Sequence, residues 1–406
     1  MSTTSRQRER EPLTSEAPIR ADAVDAEGCI DRLMSAGSRV VGCVPPDTEP
    51  GVDVASWINI ARFVEASSDE NPLYLDTRYG AASPYHTMLA PPTFVLAVRP
   101  AVSTGVLDYL PESGLRATLS SLSLTWDDAV RLGDTLDGRA EITHLTRTSV
   151  EAAVLGCETL YTRNRISLAR ASSTVVFRAD REPNRRPIYR YEPHEIEELV
   201  SRLDGEAPPR GNRPRFFSDV TVGEVVPGVA RAPLSLSDLM VWIFAHGRSV
   251  MAGNLRHGRL AGLPGRVAVN PVTNWPMWDR TETLLDSAAT DPAGPSAPGE
   301  LLTALVGQFV TNWMGDDAFL RRLAVRFGEP LLYGDSLSLS ASVSDRYRLT
   351  DERRTEYFAV ALRITGRNQL AGEVLNADAV VLLPEPGKPV ELPVREALTC
   401  VELVER

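Results

Sequence analysis

From Leu337 to Ser344 the chain alternates strictly, with Leu337, Leu339, Ala341 and Val343 on one face and serines on the other. A period of two marks a half-buried strand. The strand leaves a Gly-Asp turn, GDSLSLSASVS at 334–344, and a matching turn and strand, GDTLDGRAEIT, stand at 133–143. Such self-similarity is the signature of a repeated structural unit. EAAVLGCETLY and SSTVVFR follow the first turn as predicted strands, and YFAVALRIT and EVLNADAVVLL follow the second. Upstream of each turn the pattern changes to helical. A helix is predicted from about APPTFVLAV in the first half and over LLTALVGQFVTNWM in the second. Before each lies an amphipathic helix that ends in a polar turn, INIARFVEASSDENPLY and LSLSDLMVWIFAHGRSV. Helix, polar turn, central helix and antiparallel strands therefore occur twice in one order, which predicts an α+β unit used in tandem.

This order divides the chain into a disordered or partly ordered tail over 1–37, a first unit over 38–180, a connector over 181–215, a second unit over 216–386 and a C-terminal tail over 387–406. Within the connector, HEIEELVSRLDGE places Ile196, Leu199, Val200 and Leu203 on one helical face, so this helix is expected to pack on a domain. The second unit is 22 residues longer between its polar turn and its Gly-Asp turn than the first. The excess falls near 272–300, in NWPMWDRTETLLDSAATDPAGPSAPGE, which carries Trp275 and Trp278. A long loop of this kind is either a surface excursion or a lid, and in the second case the two tryptophans would meet substrate.

Composition narrows the choices. A net charge of −11 argues against nucleic-acid binding, which needs clustered cations. No apolar run reaches the length of a membrane span, and the first residues, MSTTSRQREREPLTSEAP, lack the apolar core of a signal peptide. The four cysteines, Cys29, Cys43, Cys157 and Cys400, have no metal-ligand spacing. They are expected to be free thiols in a reducing cytoplasm, with no metal and no cofactor. Lys388 is the only lysine, which removes Schiff-base chemistry and suggests a GC-rich bacterial genome.

SSDENPLYLDTRYGAASPYHTMLAPPTF in the first half, and AGLPG, GQFVTNWMGDDAFLRRLAVRF and GDSL in the second, resemble the MaoC-like, R-specific enoyl-thioester hydratase and dehydratase family, in particular its double-hotdog members. The resemblance covers about residues 38–384. It implies two tandem hotdog domains, each an antiparallel sheet wrapped around a long central helix, with an acyl thioester of coenzyme A or of an acyl-carrier protein bound between them. It further implies that Asp69, Asn71 and Tyr74 form the non-catalytic turn of the first half, which houses the acyl chain. An Asp/His pair in the second half would do the acid–base work, because imidazole titrates near neutrality and a carboxylate positions its partner.

That pair is missing. Gly247-Arg248 stands where the family has Gly-Asp, and either Ala252 or Gly253 stands at the histidine position, depending on the register. Four nearby residues are candidates to replace it. His246 or His257 would move protons, Arg248 would hold a carboxylate or thioester oxygen through its fork, and Asn254 would donate to a carbonyl. Capping or turn roles would equally account for all four. In the first half, His86 directly precedes the central helix and with Asp69 and Tyr74 would form a relocated acid–base cluster; a turn histidine is the alternative. Three functions remain open: a hydratase/dehydratase-type lyase with a remodelled site in bacterial lipid or secondary metabolism, including isomerase or cyclase chemistry; a non-catalytic acyl-binding or heteromeric partner; and an enzyme on another small molecule in the same pocket. Hotdog units often pair again, so a homodimer is also among the expectations.

Overall fold

The computed structural model describes residues 26–39, 41–42, 51–101, 115–179, 186–246, 295–394 and 399–403. The two sheets expected from the repeat are one. In the first half β1 (Arg116–Trp126), β2 (Leu136–Arg147), β3 (Ala152–Arg163) and β4 (Ile166–Arg178) lie in the order β1-β4-β3-β2. In the second half β6 (Phe319–Phe327), β7 (Leu337–Thr350), β8 (Glu356–Asn368) and β9 (Glu373–Leu383) repeat that order, and β5 (Val225–Arg231) and β10 (Thr399–Leu403) both pair with β7. The halves join where β1 runs antiparallel to β6, with Ser121 opposite Arg326 and Thr125 opposite Arg322. The result is a continuous ten-stranded antiparallel sheet in an α+β fold. Both Gly-Asp turns feed the strands predicted from them, and Gly133 and Gly334 hold left-handed φ values of 88° and 83° that suit glycine.

The helices follow local signals. α1 (Ala26–Gly37) lies within the stretch expected to be tail, and it buries Ile30 and Leu33 against Ile142, Leu155 and Phe177 of the sheet. α2 (Trp57–Ala66) starts at Ser56, whose hydroxyl accepts from the Asn59 amide, and a short α3 (Thr77–Ala82) is capped by Asp76. The first half's central helix is brief: after a 3₁₀ turn at Pro92–Phe94, α4 covers only Val95–Val98 and the chain is extended at Arg99. Pro100 explains the stop, because a proline disfavours the helical region for the residue before it. Among the described residues, the long central helix occurs in the second half. α5 (Pro193–Asp204) is the connector helix and α6 (Leu236–Ala245) the second amphipathic helix, opened by a Ser235/Asp238 capping box. α7 (Gly299–Met314) is apolar on almost every side and buried along nearly its whole length, as a central helix must be.

α5 packs by less of its surface than its periodicity suggests. Leu199 is buried, but Ile196 and Val200 remain 49% and 47% exposed, and Arg202 donates to the Ser338 hydroxyl on β7. The main core runs without interruption from one half into the other. α2 and α6 meet across it, with the Phe63 and Trp242 rings 5.7 Å apart. Gly307 of α7 lies against Thr93 of the first half so closely that an added Cβ would stand 2.7 Å from its methyl carbon. Arg321 on β6 reaches into the first half, donating to the Trp126 carbonyl and, at 2.6 Å, to Asp127. Among the described residues, no helix is long and apolar enough to cross a membrane, Cys29 and Cys157 are buried, and no cluster of metal-ligating side chains occurs.

Candidate active site

The polar turn after α2 is built from two consecutive side-chain caps. Ser67 bonds back to the Phe63 carbonyl, and Ser68 takes a left-handed φ of 52° that ends the helix. Asp69 Oδ1 then accepts from the Asn71 amide at 3.0 Å, and Asn71 Oδ1 accepts from the Leu73 amide at 2.9 Å. These are Asx turns, in which a short polar side chain substitutes for a backbone acceptor. With Pro72 pre-set for the 3₁₀ turn Pro72–Tyr74, they fix Tyr74 against the core. The order of residues in SDENPLY is therefore sufficient for its local shape.

The second half completes the site. Asn71 Nδ2 donates to Asp316 Oδ1 at 2.8 Å, and the Tyr79 hydroxyl donates to Asp316 Oδ2 at 2.6 Å. The Tyr85 hydroxyl donates to the Ala318 carbonyl. Asp316 itself is set by Gly315, which closes α7 with a φ of 81°. One turn earlier on α7, the Thr311 side chain bonds Tyr74 and also donates to the Gln308 carbonyl. Arg231 of β5 donates to Gln308 Oε1 from one side and to Glu206 at 2.8 Å from the other. Asp69, Asn71, Tyr74, Asp316, Thr311, Gln308 and Arg231 are thus one polar cluster in an otherwise apolar interface between the halves.

Burial sets the protonation of Asp69 and of the neighbouring tyrosines. The Asp69 carboxyl is pushed from 3.8 up to about 7, mainly because it is taken out of water. The Asn71 amide and the Arg231 charge oppose that rise, while Asp316 and Glu70 add to it. Asp69 Oδ2 is buried and has no hydrogen-bond partner among the described residues. The Tyr74 phenol is pushed well above 10 by burial and by the Asp69 and Asp316 charges, so at neutral pH it is a hydrogen-bond donor and not a base. Burial also raises Tyr85 well above the ordinary phenol value, and raises Tyr79 to about 12. Tyr74, Tyr85, Trp126, Asp128 and Asp316 line a cavity of about 30 Å³ beside the cluster, with the volume and polar lining for a single water molecule.

The sequence candidates are distributed unevenly over this arrangement. Asp69, Asn71 and Tyr74 are brought together. His86 is exposed on a turn, with a left-handed φ of 56° and its amide bonded to the Ser83 carbonyl. His246 is the C-cap of α6, buried between Phe63 and Trp242, with its ring Nδ1 2.8 Å from the Trp242 carbonyl. Arg248, Asn254, His257, Trp275 and Trp278, together with most of the inserted loop, lie outside the described residues. Asp316, Thr311, Gln308 and Arg231 were missed by the sequence reading. A signal existed: Gln308 and Thr311 are polar interruptions on one face of an apolar helix that ends in Gly315-Asp316.

Residues 50–166 match the family model of the FAS1-like dehydratase domain region. No curated protein matches the chain in sequence. Among solved structures, a MaoC-like dehydratase is 16% identical, superposes with a TM-score of 0.54, and shares 85% of this chain and 98% of its own. A MaoC domain protein dehydratase from Chloroflexus aurantiacus is 14% identical, with a TM-score of 0.52 over 85% of this chain and 98% of its own. A Mycobacterium tuberculosis protein described as a double hotdog is 16% identical, with a TM-score of 0.49 over 82% of this chain and 93% of its own. The chain shares its fold with these MaoC-like dehydratases, and its residues 50–166 are similar to the FAS1-like dehydratase domain region.

Proposed function

We propose that the protein adds water to, or removes it from, the α,β bond of an acyl thioester, and that Asp69 moves the proton. The observation that carries this reading is the Asp69 carboxyl, held by one oxygen, with the other unpartnered among the described residues and with its ionisation moved to about 7. A group of that pKa takes up and releases a proton at neutral pH with little cost either way. In the hydration direction the Asp69 carboxylate takes a proton from water as the water oxygen bonds the β-carbon. The electron pair of the double bond moves onto the α-carbon and the thioester carbonyl. The Asp69 carboxylic acid then returns its proton to the α-carbon, so that one water and one enoyl thioester give one 3-hydroxyacyl thioester. Tyr74, protonated throughout, donates a hydrogen bond, and Asn71 and Asp316 hold the turn in place. The substrate class is an acyl group on coenzyme A or a carrier protein, in a bacterial lipid or secondary pathway in the cytoplasm.

Consumption of crotonyl-CoA and longer enoyl-CoAs, followed at the enoyl absorbance, tests this. Turnover by the wild type, lost in Asp69→Asn and kept in His246→Asn, is the expected result. Turnover that survives Asp69→Asn removes Asp69 from the chemistry. Tight binding with no turnover makes the protein an acyl-binding or heteromeric partner.

A further inference from the structure

The polar cluster contains one donor and one acceptor that do not meet. Asp69 Oδ2 and Arg231 Nε are both buried, and neither has a hydrogen-bond partner among the described residues. The two side chains still feel each other, since the Arg231 charge opposes the rise that burial gives the Asp69 carboxyl. The carboxylate that Arg231 pairs with is a different one, Glu206, at 2.8 Å.

Asp128, which lines the cavity beside the cluster, shows what a closed contact does. Arg131 donates to both of its oxygens at 3.0 Å, and Arg163 donates to one of them as well. Burial pushes the Asp128 carboxyl up, but hydrogen bonds and charge from Arg131, with further bonds from Arg163 and the Ala129 amide, hold it below its ordinary value. Asp69 is more deeply buried and has an arginine nearby, yet it moves the other way, to about 7. The difference between the two carboxyls is direct contact with a guanidinium.

Three acceptors keep Arg231 occupied. Its Nη1 donates to Glu206 and, at 2.7 Å, to the Ala230 carbonyl, and its Nη2 donates to Gln308 Oε1. Of these only Glu206 is charged. A guanidinium taken out of water needs an anion more than it needs a neutral acceptor, and two carboxyls compete for this one. Glu206 stands two residues beyond the end of α5, on the connector, a part of the chain to which the proposed chemistry gives no role. The remaining charged and titratable neighbours of Asp69 are Asp316 beyond α7, Glu70 on its own turn and Tyr74.

Resting on the reading of Asp69 as the proton carrier, we infer that Glu206 is a positioning residue for the reaction: it holds the Arg231 guanidinium and so keeps Asp69 out of an ion pair that would lock it as a carboxylate. The connector thereby acts on the chemistry without touching substrate. With Glu206 gone, the nearest anion left for Arg231 is the unpartnered oxygen of Asp69.

The test is a pH titration of the Asp69 carboxyl by carbon-13 NMR of the full chain, its resonance assigned by loss in Asp69→Asn. It is run beside the pH dependence of kcat/KM for crotonyl-CoA, on wild type, Glu206→Ala, Arg231→Gln and the double variant. The Glu206 side chain is 21% exposed, so Glu206→Ala keeps the fold, and glutamine at 231 retains an amide that donates to Glu206. The midpoint should fall by about 1 pH unit or more in Glu206→Ala. It should rise in Arg231→Gln and rise equally in the double variant, because Glu206 acts through Arg231. A merely structural role would not move it in opposite directions. An unchanged or raised midpoint in Glu206→Ala overturns the inference. So does a double variant whose midpoint lies well below that of Arg231→Gln, which would make Glu206 act on Asp69 directly. Midpoints that move as expected, with no turnover or with an activity limb that does not follow them, keep this inference while the hydration reading falls. A wild-type Asp69 that titrates at the ordinary carboxylate value loses both.

Discussion

Two turns occupy the same place in the two halves and do different work. α2 ends at Ala66 and Asp69 follows three residues on; α6 ends at Ala245 and the counterpart three residues on is Arg248. The first turn spends its side chains on its own backbone and keeps one carboxyl oxygen for other use. The last described residue of the second is His246, which closes its helix and fills a space between Phe63 and Trp242. By contrast the two Gly-Asp turns are near copies. Asp134 accepts from the Arg131 amide at 2.8 Å and pairs with Arg163, and Asp335 accepts from the Leu332 amide at 2.9 Å and pairs with Arg186. The repeat preserves what the sheet needs and has let the helix-end turns diverge, because strand register depends on both Gly-Asp turns while either helix can be capped in several ways.

The sharpest break between the two helix-end turns is catalytic. Asp69→Asn is expected to lower kcat for enoyl-CoA hydration by about 10² to 10⁴, whereas His246→Asn, which keeps a hydrogen-bonding cap, stays within a few-fold; steady-state kinetics on both decides it. The seam between the halves comes next. Arg321→Met leaves Asp127 buried without its cation and should cost about 3–5 kcal/mol in denaturant unfolding.

Asp69 also leaves its mark on the pH dependence of stability. Its folded pKa lies above its unfolded value, so the folded state holds its proton longer, and stability from this group declines as pH rises from about 4 to about 7. Asp69→Asn removes that decline. Its thermal midpoint should therefore gain on the wild type across this range, by the equivalent of a few kcal/mol at pH 8. Hydration by the wild type should rise over the upper part of the same window, since the carboxylate is the base.

The smallest effect compares the Gly-Asp turns with each other. Asp335 is 1% exposed and also accepts from Gln369, while the Asp134 side chain is 15% exposed. Asp335→Asn should cost about 1–3 kcal/mol and Asp134→Asn less, as chemical denaturation of each will show.

Much of this was legible beforehand. The alternation after each Gly-Asp turn gave β2, β3, β4, β7, β8 and β9 their places. Missed were β1 and β6, which form the seam between the halves. Their alternation is present in LSSLSLTW and FLRRLAVRF, but neither follows a turn signal that sets it apart from the preceding segment. In the site, Asp69, Asn71 and Tyr74 were named from the resemblance of SSDENPLY to the family's first-half turn, and contacts within a few residues shape that turn. Asp316 could not be found in this way, because its partners Asn71 and Tyr79 are 245 and 237 residues away.

The sequence by itself determined the repeat and the Asx-capped turn, since each depends on backbone preferences of adjacent residues. Only the tertiary structure decided that Asp69 is an acid poised near neutrality. Its ionisation is set by removal from water and by Arg231 and Asp316, and these surroundings exist only once β1 and β6 have paired and closed the two halves on one another.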